Sequence, residues 1–230
     1  CAGMLGPASA LDGAANLFRI YLQGDPAEEQ LKTLLDPANW AFAETRIKPW
    51  PCCRLSHPYV AAALALRSRL EGDSIVQLRV AVNASAAKLC KPIQERRRPT
   101  TLQDAKYSIP FMTAYALVHG GVELDGLQLD RLNEPDVQAV ADRIVIEETL
   151  PDRAGHPPAR LHATTSSGRE LVSEAPSFDL DEAGIRSKFL QCFAYAGLAD
   201  KAEDACRSLE SMGTHNDVSV LLDADAWRPS

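Results

Sequence analysis

Apolar residues recur at helical spacing near both ends of this chain and at strand spacing through its middle. Leu11, Ala15, Phe18 and Leu22 share one face of a helix predicted over residues 8–22, interrupted by Gly13. Asp25-Pro26 followed by Glu28 and Glu29 predicts a second helix start, with a cap, a first-turn proline and acids at the positive end of the dipole. That helix is expected to end near Asp36-Pro37, and residues 40–47 then predict a strand. Ser56 and Pro58 predict the N-cap and first-turn proline of an apolar helix from Tyr59 to Leu70. After a turn at Gly72-Asp73, Ile75, Leu78, Val80 and Val82 predict a strand whose alternation slips by one near Gln77.

The segment that follows is locally basic, with Lys88, Lys91, Arg96, Arg97, Arg98 and Lys106 against Glu95 and Asp104, and reads as a solvated loop. Thr101 to Asp104 forms a capping-box variant opening a helix over residues 105–121, bent at Pro110 and closed by a left-handed residue at Gly120-Gly121. This helix is apolar on nearly every side, so it is expected to be buried on most of them. Asn133-Glu134-Pro135 predicts a short helix to Asp142. Residues 143–148, 160–165 and 170–173 predict strands, the last two joined as a hairpin across Ser166-Ser167-Gly168. From Asp179 the period is helical again, with one stripe at Ile185, Phe189, Cys192, Phe193 and Ala196 and another at Ala202, Ala205, Leu209 and Met212. Both stripes read as core. The class is α+β: a helical start, a mixed middle of about five strands, and a helical end.

With 230 residues the chain can bury a sizeable core. Its net charge of −7 argues against a general nucleic-acid binder, and the basic segment has no interleaved aromatics to change that. No apolar run reaches bilayer-crossing length, and the start lacks a basic stretch followed by an apolar one, so no membrane partner is expected. Six cysteines without C-x-x-C or H-x-x-x-H spacing predict reduced thiols in a cytoplasmic protein, with no metal and no cofactor.

The candidate chemistry gathers in residues 47–57, IKPWPCCRLSH. Pro49 and Pro51 fix φ and disfavour helix before them, making residues 48–51 an extended or tight connector. Lys48, Arg54 and His57 would then meet at a strand-to-helix corner beside the amides of a helix N-terminus, a place suited to an anion. The same residues also fit solvated charges around a rigid turn, and His57 fits either a ligand-binding or a capping and core role.

Four segments in order, IKPWPCCRLSH, RRPTTLQDAKYSIPFMTAYALVHGG, EPDVQAVADRIVIEE and IRSKFLQCFAYAGL, resemble the MmgE/PrpD family, which includes 2-methylcitrate dehydratase, cis-aconitate decarboxylase and iminodisuccinate epimerase. The resemblance implies a tail of a helical domain over residues 1–39, an α+β domain over 40–176, and helices returning to the helical domain over 177–230. It implies proton transfer beside a carboxylate of a small di- or tricarboxylate, in the manner of a 2-methylcitrate dehydratase. Lys48 matches the family's active-site lysine, with His57 as a second catalytic candidate and Arg54, Ser108 and Lys106 as substrate-binding candidates. Ser108 matches a family helix in which a tyrosine often lies three residues later; here that residue is Phe111, which cannot move a proton. Tyr107 and Tyr115 share the segment but not that position. Cys52 and Cys53 are expected to be packing groups.

The family's Asp- and His-bearing catalytic motifs, from the N-terminal half of a chain roughly twice as long, find no match here. The sequence is thus expected to correspond to the C-terminal half: a split subunit, a truncated reading frame or a degraded relative. Its expected partners are a helical N-terminal half and further copies in a homo- or hetero-oligomer such as a dimer. Two readings stay open: half of a lyase or isomerase that needs its partner half, or a non-catalytic interaction subunit.

Overall fold

In the computed structural model, which describes residues 13–14, 16–22, 32, 36, 45–152, 158–175 and 178–214, the chain divides into two compact units, Cys1–Arg46 and Ile47–Ser230. In the first unit, helix α1 spans Leu17–Leu22, and the Asn16 side chain accepts the Arg19 amide at 2.9 Å to cap it. The rest of the first expected helix, almost all of the helix expected from Asp25, and residues 40–44 of the expected strand lie outside the described residues. Residues 45–47 take no regular secondary structure.

The second unit begins with the proline-rich connector and a 3₁₀ turn over Arg54–Ser56, which leads directly into α2 (His57–Arg67). Alanine and leucine make α2 a good helix, and Pro58 sits in its first turn as expected. Ser56 flanks the helix, but its own backbone is already helical (φ −83°, ψ −22°), so its hydroxyl does not cap. That hydroxyl is buried and has no hydrogen-bond partner among the described residues. Strand β1 (Ile75–Val82) follows, with its register shift between Ile75 and Gln77, where the alternation slips in the sequence.

The basic segment is not a plain loop. It folds as α3 (Ala84–Ala87), capped by the Asn83 side chain on the Ala86 amide at 3.0 Å, and α4 (Ile93–Arg97). Its cations tie it down: Lys91 pairs with Glu148 at 3.2 Å, Arg98 with Asp142 at 2.5 Å, and Arg97 donates to the Ile144 carbonyl. The expected long helix is two helices, α5 (Leu102–Lys106) and α6 (Ile109–His119). Thr101 caps α5 as the capping box requires, accepting the Asp104 amide at 3.0 Å. The break falls at Ser108, whose extended backbone (φ −112°, ψ 113°) ends one helix while its side chain caps the next. Pro110 therefore starts α6 in its first turn and does not bend it. Gly120 closes α6 with φ 75°. Every residue from Ile109 to Leu117 is buried. Each of the larger apolar side chains there stabilises the fold by about 1.5–3 kcal/mol relative to exposure.

A 3₁₀ turn (Leu129–Asn133) precedes α7 (Pro135–Asp142), after which come β2 (Ile144–Glu148), β3 (Arg160–Thr165) and β4 (Glu170–Glu174). The sheet order is β2-β1-β3-β4, with β2 parallel to β1 and the other pairs antiparallel. The helices between β1 and β2 supply the crossover that a parallel pair needs. The β3–β4 hairpin turns where expected, with Gly168 at φ 82°. One sheet face carries Leu78, Val80, Val82, Ile144, Leu161, Ala163 and Leu171, all buried in one core with α2 and α6. Ser173 locks α2 to β4 by donating to the Ala62 carbonyl at 2.8 Å. The opposite face is charged, with Arg160–Glu174 and His162–Glu170 pairs at 2.8 and 3.2 Å. Finally α8 (Glu182–Tyr195), capped by Asp181, and α9 (Ala202–Glu210) form a helical end. The fold is α+β, as the pattern predicts. Among the described residues no helix is long and apolar enough to cross a membrane.

Candidate functional site

Two prolines, two cysteines and a histidine build the corner around one backbone carbonyl. Pro51 allows a tight turn in which the Cys52 amide donates to the Trp50 carbonyl at 2.9 Å. This turns the Cys52 carbonyl toward two side chains. Lys48 Nζ donates to it at 3.2 Å, and His57 Nε2 lies 3.4 Å from it. The Cys53 amide donates to the Lys106 carbonyl at 2.9 Å, fastening the end of α5 to the same corner.

His57 is 1% exposed. Its ring meets Trp50 edge-on at 5.5 Å and Phe178 at 5.8 Å, and Phe178 lies 6.3 Å from Trp50, so three rings wall the corner. Burial pushes the imidazole pKa down to about 4; the Cys52 carbonyl opposes this, and the nearby positive charges of Lys48 and Arg54 reinforce it. At neutral pH His57 is therefore uncharged, and the contact at 3.4 Å reads as Nε2–H donating to the Cys52 carbonyl. Burial likewise pushes the Cys52 thiol up to about 12, with Cys53 adding to the rise and Lys48 and Lys188 opposing it. Cys52 is thus a protonated packing group, as expected, and not an activated nucleophile.

Lys48 and Arg54 are exposed and Lys106 is half-buried. None of the three meets a carboxylate among the described residues. Lys48 and His57 meet at the Cys52 carbonyl, Arg54 sits in the 3₁₀ turn between them in sequence, and Lys106 joins the corner through its backbone. Ser108 stands apart. It is fully buried, donates to the Arg96 carbonyl and accepts the Phe111 amide at 3.1 Å, so its hydroxyl is engaged as a helix cap. Phe111 is also fully buried, 5.9 Å from the Tyr115 ring. Tyr115 donates to the Gly126 carbonyl at 2.6 Å, away from the corner.

Sequence reasoning missed Trp50 and Phe178 as the wall of the corner, because the pair had no periodic signal. No group of three His, Cys, Asp or Glu residues among those described could hold a metal ion. What the corner offers chemically is cations without counter-charges, the positive end of α2, and a rigid aromatic wall.

The sequence matches the family described as MmgE/PrpD C-terminal domain over residues 50–209. No curated protein matches the chain.

Proposed function

Since this chain belongs to the MmgE/PrpD family as its C-terminal domain, we propose that its corner binds a carboxylate of a small di- or tricarboxylic acid for proton transfer at the neighbouring carbon. The observation that carries this reading is Lys48: a cation held by the Cys52 carbonyl at 3.2 Å, exposed, and without an acidic partner among the described residues. When a proton leaves carbon beside a carboxylate, negative charge builds on the carboxylate oxygens. A fixed ammonium at that point stabilises the charge more in the transition state than in the ground state. Arg54 adds a second positive group beside it. His57 acts through the carbonyl it shares with Lys48, since its buried ring stays neutral and reaches no solvent.

A second reading, binding without turnover, is favoured by Phe111. A phenyl ring lies where the family often has a tyrosine, and it cannot donate or accept a proton. On this second reading the purified chain does not turn over 2-methylcitrate, cis-aconitate or iminodisuccinate, because His57 is buried and Phe111 cannot move a proton; turnover by it would refute the reading.

Calorimetry with a di- or tricarboxylate tests the binding reading. A charge-assisted contact contributes about 1.5–3 kcal/mol, so Lys48→Ala weakens binding by roughly 10- to 150-fold while circular dichroism stays the same. Unchanged affinity with the fold intact removes Lys48 from the site.

A further inference from the structure

Away from the corner, the basic segment holds a small polar cavity of about 270 Å³, bordered by α4, the stretch after it and α5. Glu95, Arg96, Arg98 and Asp104 line it, together with Thr100 and the buried Pro99. Lys48, Arg54 and His57 do not border it.

Two positive and two negative side chains share this space, and among the described residues none of the four pairs with another of them. Arg98 is engaged elsewhere, with Asp142 at 2.5 Å. Arg96 is held by carbonyls alone: its Nε donates to the Lys91 carbonyl at 3.2 Å and its Nη1 to the Tyr107 carbonyl at 3.4 Å. These bonds fix the guanidinium without neutralising its charge, and Nη2 has no partner among the described residues. Asp104 accepts the Thr101 hydroxyl at 2.7 Å and meets no cation, and the Glu95 carboxylate has neither hydrogen bond nor ion pair among the described residues.

A purely anionic ligand would face two carboxylates in this cavity, and a purely cationic one would face two guanidinium groups. Either repulsion offsets part of the attraction. A ligand that carries both charges on neighbouring atoms gains from each sign and is opposed by less. Arg96 is already positioned for it, which lowers the ordering cost of binding. The volume suits a molecule of few heavy atoms.

From this arrangement we infer that the cavity binds a small zwitterion, a free α-amino acid, with Arg96 holding its carboxylate, Glu95 its ammonium, and Asp104 supplying the second acid. Both contacts are charge-assisted hydrogen bonds, the stronger kind. The site is separate from the corner and does not depend on the reading of Lys48.

The test is amide NMR of the isotope-labelled full chain, titrated with L-alanine, with propionate, which lacks the ammonium, and with ethylamine, which lacks the carboxylate. L-Alanine should shift the Thr100, Thr101 and Asp104 amides saturably in the millimolar range. Propionate and ethylamine should act on these amides at least about tenfold more weakly, since each loses one charge-assisted contact. Shifts over residues 48–57 report on the corner and do not count here. Glu95→Gln and Arg96→Gln should each weaken L-alanine by about tenfold or more. Urea midpoints control for folding, because the Arg96 side chain also braces two carbonyls. Glu95 is exposed and braces nothing, so Glu95→Gln decides the matter even if Arg96→Gln unfolds. The inference is overturned if L-alanine causes no saturable shift at these amides. It is equally overturned if propionate or ethylamine binds there as tightly as L-alanine, or if folded Glu95→Gln binds L-alanine as wild type does.

Discussion

Protonating His57 should destabilise this fold by an amount that the structure allows one to work out. The ring is buried against Trp50 and Phe178, its Nε2 faces the Cys52 carbonyl, and Lys48 and Arg54 lie near enough to disfavour a positive charge. Its pKa falls from 6.5 to about 4 in the folded state. Between these two values the unfolded chain takes up a proton that the folded chain refuses, so stability falls as pH drops through that window and levels off below it. At ~1.4 kcal/mol per pH unit, the full loss is about 3 kcal/mol. The perturbation is His57→Gln, which keeps an N–H donor for the Cys52 carbonyl but does not titrate. Urea unfolding of both proteins across the window, compared as a difference, cancels the carboxylates common to the two. At neutral pH the variant should be the less stable, because an amide replaces a ring in the aromatic wall. As pH falls from 6.5 toward 4, wild type should lose about 3 kcal/mol relative to the variant. A difference that stays constant within ~0.5 kcal/mol would show that the ring is not held neutral by its surroundings.

Thiol labelling of the native protein, read by peptide mass, should modify exposed Cys192 and half-buried Cys53 first and spare Cys52 and Cys90, whose thiols burial pushes up to about 12; rapid labelling of Cys52 would contradict its packing role. Ser108→Ala should lower the urea midpoint by the equivalent of about 1–3 kcal/mol, because the buried Phe111 amide and the part-buried Arg96 carbonyl both lose a partner. It should leave carboxylate affinity unchanged in folded protein, and a selective loss of affinity would return Ser108 to the ligand.

What the sequence by itself determined is the set of features governed by near neighbours. The nearly all-apolar run in residues 109–117 predicts burial on most sides, and α6 is buried from Ile109 to Leu117. Thr101 with Asp104 three residues on, Gly120 after the helix, and the slip at Gln77 each report a local hydrogen bond or backbone angle, and each appears in place. Competition between neighbouring signals was harder to read. Ser108 and Pro110 could bend one helix or separate two, and the outcome depends on the Arg96 carbonyl twelve residues away that receives the Ser108 hydroxyl. The helices of the basic segment were hidden for a similar reason: its cations are tied by Asp142, Glu148 and the Ile144 carbonyl, all far along the chain.

The candidate site divides along the same line. Lys48, Arg54 and His57 were legible because they lie within ten residues of one another around prolines that restrict the backbone. Only the tertiary structure decided that β2 runs parallel to β1, that Lys106 fastens the corner through its carbonyl, and that Phe178 returns to it. It also decided the state of His57, since a pKa depends on what surrounds the ring and not on which residues flank it. Local patterns record torsional and hydrogen-bond preferences within a few residues, whereas the wall that Phe178 completes with Trp50 and His57 exists only after distant segments have packed.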